Sequence, residues 1–120
     1  MVEETLPEVS EREKAELKAT ELKASLGKEV HLIFFDTDEH GIVIGYLTEP
    51  DRITKMRALD LVTMSRFTEA SDIVLRTSLI AEESDKRILS EDSKYDKIYL
   101  GAIMAAQQLV QFYTDPIKKK

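Results

Sequence analysis

The chain has no cysteine and no tryptophan, and only four glycines and three prolines among its 120 residues. The missing cysteine excludes disulfides, thiolate metal sites and cysteine nucleophiles. So few glycines leave little material for a phosphate-cradling loop, and there is no G-x-S-x-G elbow and no His-x-x-x-His pair. No apolar run approaches the roughly 18 residues that a membrane-spanning helix needs. The opening residues, Met1-Val2-Glu3-Glu4, are acidic and carry neither the basic nor the apolar block of a secretory signal. Basic charge is scarce as well: 17 Lys and Arg face 23 Asp and Glu, a formal net charge of −6. Such a surface repels phosphate, and the one basic run, Lys118-Lys119-Lys120, reads as a solvated tail. The expectation is a cytoplasmic protein that binds neither nucleic acid nor membrane.

Hydrophobic residues make up 42% of the chain and charged residues 33%, which separates it from both disordered and membrane classes. Its length suits a single domain that buries roughly 65% of its unfolded surface. No internal repeat or low-complexity segment divides it. The pattern predicts an α+β domain, a β-hairpin packed against a small helical bundle and preceded by a charged N-terminal helix. Residues 1–9 read as an irregular lead-in. Ser10 and Glu13 form a capping box that opens a helix over 10–27, closed by Gly27. Its apolar stripe is thin, with Ala15, Ala19, Leu22 and Leu26 at helical spacing and Leu17 to one side.

A hairpin is expected over 28–47. Val30 to Phe35 and Ile42 to Leu47 are β-branched and aromatic runs, joined by Asp36-Thr37-Asp38-Glu39-His40-Gly41. Gly45 marks a bulge or the close approach of another backbone. A lone two-stranded hairpin is marginal in water, so it must pack on helices or gain a strand from another chain. The helical part spans 48–113. Thr48 with Asp51, and Pro50 in the first turn, signal a helix start, after which Ile53, Met56, Leu59 and Val62 line one face. A further helix turns Phe67, Ala70, Ile73, Val74 and Leu79 or Ile80 inward. Residues 81–93 form a polar connection with one apolar peg, Ile88-Leu89. The last helix carries the widest stripe: Tyr95, Ile98, Ala102, Ile103, Ala106, Leu109, Val110 and Tyr113, with Pro116 closing it before a basic tail at 114–120.

Candidate chemistry is sparse. The spacing Asp36, Asp38, Gly41 matches the start of a calcium loop, but Leu47 stands where the closing bidentate Glu belongs, and the flanks read as strands. An acidic hairpin loop with Gly41 at positive φ accounts for the same residues. Antiparallel pairing could bring His31 and His40 to one end of the hairpin, where Asp36 or Asp38 would have to complete a metal site. Histidines on a polar strand face explain them more simply. The carboxylates at Glu82-Glu83 and Glu91-Asp92 read as solvated faces rather than acid–base catalysts. Met56, Met64 and Met104 read as core packing, with an adaptable peptide-binding surface as the second reading. The expectation is therefore a protein without catalytic, cofactor or metal residues.

From Gly45 to Leu109 the order of short motifs resembles a known family. A strand ending Gly45-Tyr46-Leu47 runs into Glu49-Pro50-Asp51-Arg52 and an Ala58-Leu59 helix; a second helix ends Leu75-Arg76-Thr77-Ser78-Leu79-Ile80; Asp85-Lys86-Arg87-Ile88-Leu89 leads to an alanine-rich helix from Tyr95 to Val110. This arrangement resembles the small tail-assembly-chaperone-like proteins of bacteriophages and prophages. The chain departs from that family in lacking its Cys-Trp and Gly-Gly around Ser78 to Glu83. The resemblance implies a non-enzymatic protein of the host cytoplasm that holds tail components such as the tape-measure protein. A structural subunit of a virion or other multimer is the alternative, and a metal-dependent enzyme at the hairpin loop a distant third. For either of the first two, partner or self-association contacts are expected at Ala15, Ala19, Leu22, Leu26, Phe34 and Phe35.

Overall fold

A computed structural model describes the backbone from Pro7 to Lys118 and side chains from Ser10 to Phe112. The elements run α1 (Pro7–Leu26), β1 (Val30–Thr37), β2 (Gly41–Thr48), α2 (Arg52–Thr63), α3 (Phe67–Ser78), two short 3-10 turns (Ala81–Glu83 and Ser93–Tyr95) and α4 (Asp96–Lys118). The hairpin is the middle layer of an α+β sandwich. On one face of it lies α1, and on the other lie α3 and α4, with α2 packed against both of these.

The hairpin follows from its sequence. β1 and β2 pair antiparallel from Val30↔Thr48 to Thr37↔Gly41 without a bulge, two residues further into the loop than the apolar runs alone indicate. Thr37 accounts for the extension. Its hydroxyl accepts the His40 N–H (2.8 Å) and donates to the Gly41 carbonyl (3.1 Å), while Gly41 takes φ +75°. Pairing fixes which residues share a face. Ile33, Phe35, Val43, Gly45 and Leu47 turn toward α3 and α4; Leu32, Phe34, Ile44 and Tyr46 turn toward α1. Gly45 marks neither a bulge nor another backbone but the close approach of a side chain, since a Cβ there would stand 2.9 Å from Cδ1 of Ile88.

The core lies between hairpin and bundle, where Ile33, Val43, Leu47, Val74, Leu75, Ile88, Ile98, Ala102 and Val110 are essentially inaccessible. Several helix boundaries and faces differ from the sequence pattern. α1 starts at Pro7, ahead of Ser10, because a proline in the first helical position gives up no hydrogen bond. α2 is capped by Asp51, whose carboxylate accepts the Thr54 N–H at 2.8 Å, so Pro50 precedes the helix and Thr48 remains in β2. Its inner face is Ala58 and Val62, with Leu61 half-buried. Ile53 and Met56 point outward, 68% and 58% exposed. The small Ala58 lets α2 close on its neighbours, which rotates the larger residues away from the contact. α4 runs on through Pro116 to Lys118, since a proline removes one backbone donor without having to end a helix. Side chains of 113–120, the basic tail included, lie outside the described residues, as do residues 1–6.

Candidate docking site

The two edges of the sheet are treated differently. Tyr46, Ile44 and Ile42 of β2 turn their backbone groups away from β1, and the segment after α3 takes up all three carbonyls and the Tyr46 N–H. Leu79 bridges to Leu47, the Ile80 N–H donates to the Tyr46 carbonyl (2.7 Å) and the Asp85 N–H to the Ile44 carbonyl (2.9 Å). Ser84 joins in: its hydroxyl accepts the Tyr46 N–H (2.9 Å) and donates to the Ile80 carbonyl (2.7 Å). Arg87 completes the seal, reaching the carbonyl oxygens of His40 (3.0 Å) and Ile42 (3.5 Å) while Asp85 holds its guanidinium through two oxygens. The hydrogen bonds from Arg87 outweigh burial and hold the Asp85 carboxyl below the usual carboxylate range.

β1 has no such cover. With odd-numbered residues committed to β2, as the Glu49 N–H to Glu29 carbonyl bond (3.0 Å) extends at the hairpin's open end, the even-numbered ones face outward. Val30, Leu32, Phe34 and Asp36 thus present N–H and C=O groups along an edge that no other described strand or loop pairs with. Beside this edge runs an open groove of about 420 Å³. Its floor is Leu32, Ile33, Phe34 and Phe35; Arg12 of α1 forms one wall, and Gly101, Met104, Ala105, Gln108 and Leu109 of α4 the other. Gly101 seats the Phe35 ring, and the Arg12 guanidinium lies 5.1 Å from the Phe34 ring centroid. Met104 is 70% exposed at the groove, and Leu100, one turn earlier, 55%.

The residues singled out on the sequence are partly brought together here. Phe34 and Phe35 lie on opposite faces of β1 at the groove floor. Ala15 is buried and Ala19 and Leu22 are half-buried, so the helix stripe is largely spent on the chain's own hairpin; Leu26 is exposed. Salt bridges hold α1 in place: Lys18 to Glu83 (2.6 Å) and Lys23 to Glu29 (3.0 Å). Met104 marks the groove wall, which no local pattern distinguishes from core, because its exposure depends on what lies opposite in space.

The histidines do not converge. His31 pairs across from Leu47 while His40 sits in the turn, which separates them by about 20 Å of strand. His31 Nε2 is 2.9 Å from Glu49 Oε1, and Lys55 contacts the other oxygen of the same carboxylate. Burial pushes the Glu49 carboxyl up, but hydrogen bonds from Lys55 and His31 prevail and hold it below its ordinary value. His40 packs edge-on to Tyr95 at 5.4 Å. Among the described residues no three His, Asp or Glu side chains gather as a metal-binding set, and no helix is long and apolar enough to cross a membrane. Comparison with protein-family models, characterised proteins and solved structures finds no match to this chain.

Proposed function

We propose that the chain is a non-enzymatic protein-binding factor that takes up an extended polypeptide segment along the β1 edge. The observation that carries this reading is the asymmetry of the sheet: β2 is sealed by Leu79 to Arg87, whereas β1 is left open beside an apolar groove. Open strand edges are aggregation hazards that proteins usually blunt. Retained between two helices, such an edge is instead the geometry of strand addition, in which main-chain bonds give affinity and alternate side-chain pockets give specificity. The resemblance to tail-assembly chaperones fits this reading and names a partner class, phage tail components held in the bacterial cytoplasm before assembly. A permanent structural subunit would use the same edge within a multimer.

The test is a displayed random-peptide library panned on the full chain. Peptides with alternating apolar residues are expected to be enriched. Their binding should be lost in Leu32→Pro, which removes an outward N–H, and in Met104→Lys at the groove wall. It should survive in Ile53→Lys, on the exposed side of α2. Binders indifferent to the first two changes would reject the β1 edge as the docking site.

A further inference from the structure

We infer that the strand which occupies the β1 edge in the absence of another partner is β1 of a second copy, forming a continuous four-stranded antiparallel sheet across a twofold axis. The inference rests on the strand-addition reading above and names its occupant. Three observations carry it.

The first is register. Even-numbered residues of β1 face outward, so a symmetric antiparallel pairing sets even against even and places its axis at a residue and not between two. Centring on Ile33 sets Leu32 of each strand against Phe34 of its twin, with Val30 against Asp36 at the two ends, and engages the strand from Val30 to Asp36. Moving the centre to Phe34 sets Leu32 against Asp36, and moving it to Leu32 sets Val30 against Phe34 but shortens the stretch paired within β1 to residues 30–34. The two Leu32–Phe34 pairs together with the longer paired stretch favour the central register.

The second is charge. In that register Lys28, two residues before β1, and Asp38, in the turn just after it, fall opposite each other across the axis, twice by symmetry. Both side chains are exposed. Among the even-numbered positions Lys28 precedes the apolar stretch and Asp36 and Asp38 follow it, which makes them complementary only when the strands run antiparallel.

The third is the groove wall. The twofold axis of antiparallel pairing is perpendicular to the sheet, so it carries each face onto the same face of the partner. The two α4 helices then lie side by side beneath the sheet, and Met104, the exposed apolar residue of that wall, turns toward its counterpart, with the exposed Leu100 one turn earlier on the same helix. An isologous contact of this kind closes on itself and leaves no open β1 edge to propagate.

Light scattering coupled to size exclusion, run on the full chain across the micromolar range, tests the assembly. The wild type is expected to be a concentration-dependent dimer. Leu32→Pro keeps the ladder to β2, because its lost N–H is the outward one, and should be monomeric with an intact circular dichroism spectrum. Met104→Lys, on an exposed side chain, gives the same reading if the proline variant fails to fold. Lys28→Asp should weaken the dimer roughly two- to thirtyfold, as expected for the loss of two exposed ion pairs. Adding Asp38→Lys to it should restore the dimer, an outcome only the central register produces. A dimer unaffected by Leu32→Pro and Met104→Lys, or a swap that rescues nothing, overturns the inference. A strictly monomeric wild type that still holds panned peptides at β1 sinks it too, while leaving the strand-addition reading standing. A monomer that holds none sinks both.

Discussion

Gly101 is where α4 gives room to the Phe35 ring of β1. A Cβ there would stand 2.5 Å from Cε2 and 2.9 Å from Cζ of Phe35. Helix propensity alone favours Ala over Gly by about 1 kcal/mol, so the substitution sets a local gain against overpacking that costs about 1–3 kcal/mol. Gly101→Ala is expected to be net destabilising in urea denaturation, and Phe35→Leu in the same chain should recover part of the loss. A stabilised Gly101→Ala would mean the ring shifts freely into the groove. At the opposite edge, Asp85 and Arg87 predict an acid limit. The Asp85 carboxyl is held low in the folded state, so its stabilising contribution is complete above the unfolded value of about 3.9 and disappears as pH falls through the lower folded value. Glu49, also held low, acts in the same direction around its own unfolded value of about 4.3. Asp85→Asn should lower stability at neutral pH and flatten its decline below about pH 4, measured as urea midpoints against pH. An unchanged slope would place the acid-sensitive contacts elsewhere.

Among the elements, α4 and the hairpin are plain in the sequence because each carries a periodic apolar pattern that its burial reproduces. Ile98, Ala102, Ile103, Ala106 and Val110 are all buried, and Val43 and Leu47 alternate inward on β2. The face of α2 is not legible in this way, since Ile53 and Met56 out-weigh Ala58 in any apolar pattern while close packing selects the smaller side chain. The open edge of β1 is illegible for a different reason. It exists because the chain from Leu79 to Arg87 returns to β2 and not to β1, a long-range choice that no local motif encodes. α1 is intermediate: its existence follows from its composition, but its stripe buries little beyond Ala15. Surface ion pairs such as Arg12–Glu16 add only about 0.2–0.5 kcal/mol each, and a helix of this length is marginal without packing. Amides of 11–26 should therefore exchange faster than those of 98–110 in the free chain. Equal protection in a monomeric sample would show that the hairpin face grips α1 as firmly as the core grips α4.

For the whole molecule, the contiguous core among the described residues comprises residues of the hairpin, α2, α3, α4 and the Ile88 peg, and none from α1. α1 instead covers the second face of the hairpin, where Tyr46 is buried and Phe34 half-buried, with Lys18–Glu83 tying it to the turn after α3. Burial raises the Tyr46 hydroxyl above its ordinary pKa, as a ring sandwiched beneath this helix should be. The body from Lys28 onward thus keeps its own core but depends on α1 to hide one apolar sheet face. A chain beginning at Lys28 is expected to retain a cooperative thermal melt at a lower midpoint. It should also bind an apolar fluorescent dye and associate beyond a dimer, because Leu32, Phe34, Ile44 and Tyr46 then join the open β1 edge in one exposed surface. Adding back a peptide of residues 7–27 should suppress both the dye signal and the association. A truncated chain that melts without cooperativity would show that α1 is part of the folding unit and not a cover laid over it.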